Sequence, residues 1–113
     1  MYINEKTIEE MQNVLKVAGD ATRIKILFTL LDEFEVGETS HPHLLEKCVN
    51  DIAKQINASQ SLVSHQLKVL KDSNFVKERK EGIRVYYSLK DEHVREIIKI
   101  TYEHVIEEGE DND

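Results

Sequence analysis

Apolar positions recur with helical spacing almost from the start of the chain: Ile8, Met11, Leu15 and Ala18 fall on one face, behind a capping-box pair at Thr7 and Glu10. The pattern predicts a first helix over 7–18, closed by Gly19. Asp20 is placed to cap a second helix, in which Ile24, Leu27, Phe28 and Leu31 form one apolar stripe. From Asp32 to Lys47 the periodicity lapses. That stretch, DEFEVGETSHPHLLEK, holds a glycine, the one proline and several acids, and predicts a loop with a single helical turn near Leu44 and Leu45.

Helical spacing returns in two pieces. DIAKQI (51–56) predicts a short helix, Asn57 and Ala58 a tight turn in which Asn tolerates the left-handed conformation, and Ser59 a cap for a helix running to about Ser73. Two helices joined by so short a turn make a helix-turn-helix. Beyond it, Phe75–Lys80 and Ile83–Leu89 alternate around Glu81-Gly82, which predicts a hairpin with the successive Tyr86 and Tyr87 on opposite faces. A last helix follows over 91–107, then an acidic tail at 108–113. The expected fold is mainly α with a small β-hairpin wing: a winged helix-turn-helix in one domain spanning 1–113, with the helix-turn-helix at 51–73 and the wing at 75–89.

Composition and charge change this picture in two ways. At 113 residues with 40% hydrophobic content the core is thin for a monomer, so oligomerisation is a natural supplement. The net charge of −7 argues against nucleic acid until it is divided along the chain. Residues 1–53 hold 5 Lys/Arg against 10 Asp/Glu, residues 54–90 hold 8 against 3, and residues 91–113 hold 2 against 9. All the positive excess lies in one block, as expected of a surface that faces phosphates while the acidic ends turn DNA away elsewhere. No apolar run approaches the ~20 residues of a membrane span, and MYINEKTIEE lacks the basic and apolar regions of a signal peptide. One cysteine, Cys48, excludes an intrachain disulfide and suits a reducing compartment, so a cytoplasmic protein is expected.

Within the basic block, Val63, Leu67 and Leu70 turn one face of the second helix inward. The other face presents Gln60, Ser61, Ser64, His65 and Lys68, short or medium polar side chains able to meet base edges or phosphates. A plain solvated helix would carry more Glu and Lys in their place. The wing holds Lys77, Arg79, Lys80 and Arg84, a basic ribbon able to straddle the backbone or dip Arg84 into a minor groove.

The last helix carries metal-ligand chemistry. Asp91 and His93 are followed, after ten intervening residues, by His104 and Glu107. His93 and His104 return to nearly the same helix face but stand roughly 16 Å apart along the axis, too far for one ion. Antiparallel pairing with a second copy, centred near Ile98 and Lys99, sets His93 opposite the partner's His104 and Asp91 opposite the partner's Glu107 in a single register. That predicts a symmetric homodimer with two identical sites of two imidazoles and two carboxylates. Taken singly, Asp91 is also the expected N-cap of this helix and Glu107 the start of an acidic tail; the shared register lifts the set above its members.

VAGDATRIKIL (17–27), CVNDIA (48–53), SQSLVSHQLKVLKDSNFV (59–76) and KEGIRVYYSL (80–89) together resemble the ArsR/SmtB family of winged helix-turn-helix, metal-responsive transcriptional repressors. The resemblance covers most of residues 7–107. It implies a homodimer, not an enzyme, that holds double-stranded operator DNA until an inducing metal ion weakens its grip. In the branch with sites on the last helix the pattern is Asp-x-His, ten residues, then His-x-x-Glu or His, and Asp91, His93, His104 and Glu107 match every position.

Three departures narrow the assignment. The family's thiol-rich sensors carry Cys-Val-Cys where this chain has Cys48-Val49-Asn50, and residues 1–20 add neither Cys nor His, so a thiolate site for arsenic, cadmium or lead is not expected. The 32–47 insertion brings His41 and His43 close before Cys48 and Asp51, four residues that form a candidate accessory metal site, with a solvated loop the plainer reading. Two imidazoles and two carboxylates suit four-coordinate Zn(II), with Co(II) able to occupy the same site; Ni(II) prefers six ligands and is the weaker choice. Two other readings stay open at this point: a repressor whose metal is purely structural, and a metal-buffering protein with no DNA role.

Overall fold

The computed structural model describes residues 2–31 and 45–111, with no side-chain description at 110 and 111. Its elements run α1 (Glu5–Ala18), α2 (Ala21–Thr29), α3 (Val49–Ile56), α4 (Gln60–Asp72), β1 (Val76–Glu81), β2 (Arg84–Leu89) and α5 (Glu92–Asp111). The mainly helical fold with one hairpin is the expected one.

Local chemistry explains the boundaries, including those the sequence pattern misplaced. α1 starts before the expected capping box, because the Asn4 side chain accepts from the Thr7 amide at 2.8 Å. Asn is as good a cap as Thr, and capping at Asn4 adds most of a helical turn, so Thr7 becomes the donor inside the helix. Asp20 caps α2 as expected, accepting from the Arg23 amide at 3.0 Å. α3 begins at Val49 behind Cys48, two residues before Asp51, which instead places its carboxylate in the first turn, where the helix dipole favours it. Asn57 does adopt the left-handed conformation, at φ 55° and ψ 50°, and Ser59 caps α4 by accepting from the Leu62 amide at 3.1 Å.

The hairpin register runs from Val76↔Leu89 to Glu81↔Arg84, so the turn is Gly82-Ile83, one residue later than expected. Gly82 has φ +63°, which no side chain would share comfortably, and a mirror-image turn with Gly first matches the twist of the strands. Lys47 adds a short third edge by exchanging backbone hydrogen bonds with Tyr87 at 3.0 and 2.8 Å, a pairing absent from the sequence pattern. α5 is capped by Asp91, whose Oδ1 accepts from the Val94 amide at 3.1 Å. It continues through 111, so most of the expected acidic tail is helix, in keeping with the good helix propensity of Glu.

α2 lies at the centre, packed against α1, α3, α4 and α5. Ile26 and Leu30 are therefore buried beside the expected Leu27 and Leu31, since a helix covered on several sides needs more than one stripe. Val63, Leu67 and Leu70 of α4 are fully buried as the pattern requires, with Ile52, Phe75, Val76, Val94 and Ile98 completing the core. Arg23 ties α2 to α4 by donating to the Gln66 side chain at 2.8 Å. α1 is different: it buries no residue, and its stripe of Ile8, Met11, Val14 and Leu15 is exposed. Ile100, Val105 and Ile106 of α5 are exposed as well. Among the described residues no helix is long and apolar enough to cross a membrane.

Candidate functional site

With its apolar face locked in the core, α4 turns Gln60, Ser61, Ser64, His65 and Lys68 outward, and all five are exposed along one open groove. The far wall of that groove is a set the sequence reading missed. Lys71, at the end of α4, donates to Glu78 of β1 at 2.6 Å, and Tyr87 of β2 is the direct cross-strand partner of Glu78. The Lys71 hydrogen bond holds Glu78 below the usual carboxylate range, and Glu78 in turn raises Lys71. Desolvation, followed by the Glu78 charge, pushes Tyr87 up. The Lys71–Glu78 pair ties the end of α4 to β1 of the wing. Glu78 and Tyr87 are direct cross-strand partners, so the correct turn would have brought them together on paper.

On the wing, Lys77, Lys80 and Arg84 are exposed. Arg79 is engaged: its Nε donates to both oxygens of Glu46 at 3.1 and 2.9 Å, and Nη1 donates to Glu81 at 3.0 Å. Tyr86 lies under the same guanidinium, 4.9 Å from Cζ to the ring centroid. The two tyrosines do separate as the strand period demands, Tyr86 to the wing surface and Tyr87 against the core.

The expected metal ligands all lie on or beside α5, away from α4. His93 is almost fully exposed, with Nδ1 at 3.8 Å from Asp91 Oδ1. Capping engages one Asp91 oxygen and leaves the other for a ligand. His104 is exposed and pairs with Glu108, one turn on, at 3.4 Å, while Glu107 projects into solvent. Among the described residues no three His, Cys, Asp or Glu side chains of one protomer gather as a metal site. Of the accessory set, Cys48 donates to Asp51 at 3.1 Å, while His41 and His43 lie outside the described residues.

A family profile described as "Bacterial regulatory protein, arsR family" matches residues 45–78, from just before α3 into β1. Over 95 residues the chain is 38% identical to a cadmium resistance transcriptional regulatory protein CadC homolog of Staphylococcus aureus, covering 84% of this chain and 69% of that protein. The chain belongs to the ArsR family. A second ArsR-type relative, a transcriptional repressor SmtB homolog of Synechocystis sp., is 31% identical over 99 residues, covering 88% of this chain and 66% of its own length. The chain thus spans about two thirds of the length of these two relatives. Both are named as transcriptional regulators, not enzymes. The architecture is also that of the homodimeric winged helix-turn-helix DNA-binding domain of Mb0332 from Mycobacterium bovis, with a TM-score of 0.73 at 24% identity over 95% of this chain and 90% of that one. The fold is a winged helix-turn-helix.

Proposed function

We propose that this ArsR-family chain is a metal-responsive transcriptional repressor that holds operator DNA as a homodimer and releases it when a divalent ion, Zn(II) before others, bridges the two α5 helices. The observation that carries the reading is the separation of two surfaces. Ser64 and His65 lie with Gln60, Ser61 and Lys68 on the open face of α4, and Lys80 and Arg84 are exposed on the wing, while Asp91, His93, His104 and Glu107 lie exposed on or beside another helix. The uncovered apolar residues of α1 and α5 favour a dimer, since a contiguous apolar surface left in water costs free energy that a second copy would recover.

The donor set fits the ion. His93 and His104 are exposed, Asp91 keeps one oxygen beyond its capping bond, and Glu107 is exposed. Zn(II) bound there would supply a four-coordinate link between the two last helices. α5 packs on α2 through Val94, Ile98 and the Phe28–Tyr102 edge contact, with ring centroids 5.4 Å apart, and α2 packs on α4. A shift of α5 relative to its partner therefore reaches α4 through a short chain of packed helices. Half-sites lie about one duplex turn apart, so a change in the spacing of the two α4 helices loses contacts at both ends. Linkage then requires DNA and metal to weaken each other by the same factor, about 1–3 kcal/mol. The cadmium in one relative's name points to a softer ion, but a single cysteine leaves this chain with imidazole and carboxylate donors at α5.

The test is a titration of the duplex upstream of the protein's own coding sequence, with and without Zn(II). The wild type should bind and then release. His93→Ala and His104→Ala should bind equally well and no longer release. Loss of metal-free DNA binding in either variant, or normal release, would overturn the site assignment.

A further inference from the structure

Arg79 is expected to meet phosphate, yet its half-exposed guanidinium is already engaged at Nε, at Nη1 and on one face. Glu46 takes Nε through both carboxylate oxygens, Glu81 takes Nη1, and Tyr86, the direct cross-strand partner of Arg79, lies beneath the plane. Glu46 does not belong to the wing. It lies in the segment that leads into α3, and the next residue, Lys47, exchanges two backbone hydrogen bonds with Tyr87. One residue further, Cys48 occupies the N-cap of α3. The approach to the first helix of the helix-turn-helix is thus fastened to the wing twice, by backbone at Lys47 and by side chain at Glu46.

We propose that Arg79 is a wing-positioning residue, not a phosphate contact: with Glu46 it forms a clasp that sets the hairpin against the start of α3, and the wing's contacts to DNA fall to Lys80 and Arg84. This rests on the DNA-binding reading above. A two-stranded hairpin is barely stable alone, so its direction must be imposed from outside. The Lys71–Glu78 bond holds the α4 side of the wing, and the clasp holds the α3 side. To meet a phosphate through its Nε–Nη1 edge, Arg79 would have to leave two carboxylates. Lys80 and Arg84 make no ion pair among the described residues and need to leave none.

The two roles predict opposite signs for one substitution. If Arg79 bound phosphate, Glu46→Gln would free its guanidinium and remove a repelling charge, so DNA binding would tighten. If the clasp positions the wing, Glu46→Gln weakens binding, by roughly three- to tenfold for a partly exposed charge network. Arg79→Gln should weaken binding to the same extent, the double variant no further, and the slope of log affinity against log salt should stay at the wild-type value. Arg79→Lys keeps the charge but not the fork, so it should behave as Arg79→Gln does. Each is measured by anisotropy on the full chain with a labelled duplex. A DNA-free readout stands beside it: exchange of the Lys47 and Tyr87 amides should quicken in Arg79→Gln and Glu46→Gln. Tighter binding by Glu46→Gln, a salt slope smaller by about one in Arg79→Gln, or unchanged amide exchange would each overturn the clasp. Wild-type protein that binds no duplex would instead sink the repressor reading, with amide exchange still deciding the clasp.

Discussion

Two asparagines adopt the left-handed region at the corners around α4: Asn57 at φ 55°, the C-cap of α3, and Asn74 at φ 62°, just past the C-cap of α4. The short amide side chain tolerates this conformation, whereas alanine meets its own carbonyl there at a cost of about 1–2 kcal/mol. Asn57→Ala and Asn74→Ala should each lower the unfolding free energy from urea titration by an amount of this order, while glycine at either position should leave it nearly unchanged. Equal losses with alanine and glycine would mean that the amide's hydrogen bonds, not the backbone angle, matter at these corners.

At the scale of elements, α4 and the wing should divide the labour of binding. Ser64→Ala and His65→Ala remove groups on the exposed face of α4 and should weaken operator binding markedly while leaving Zn(II) affinity alone. Arg84→Gln should weaken binding to any duplex and lower the salt slope by about one, the mark of a lost phosphate contact. Unchanged operator affinity in both α4 variants would remove α4 as the reading helix. The helix-turn-helix was legible because its signals are local: Asn57 for the turn, Ser59 for the cap, and Val63, Leu67 and Leu70 for the buried face. Where a neighbouring residue offers a competing local signal the pattern misleads: it points to Thr7 and Glu81-Gly82, while the chain caps at Asn4 and turns at Gly82-Ile83. The Glu46–Arg79 pair was out of reach altogether. Its members are 33 residues apart, and only the Lys47–Tyr87 pairing, with no periodicity to announce it, brings them together.

For the whole molecule, the decisive matter is whether Asp91 and His93 meet His104 and Glu107 of a second copy. A dimer that mixes one His93→Ala chain with one His104→Ala chain keeps one complete set of ligands and loses both imidazoles from the other. Isolated mixed dimers should bind one tight Co(II) with the wild-type tetrahedral spectrum, which neither mutant homodimer should reproduce. Failure to recover that spectrum would mean that the ligands do not pair across the interface.

The bare stripe of α1 carries a thermodynamic consequence of its own. Only Val17 and Ala18, at its C-terminal end, pack on its own protomer's core, so the exposed stripe of α1 is held by whatever covers it. If that cover is a second chain, part of the folding free energy belongs to an equilibrium between molecules and follows mass action. The melting temperature then rises with protein concentration, and the number of copies in a cell becomes a variable of the fold itself.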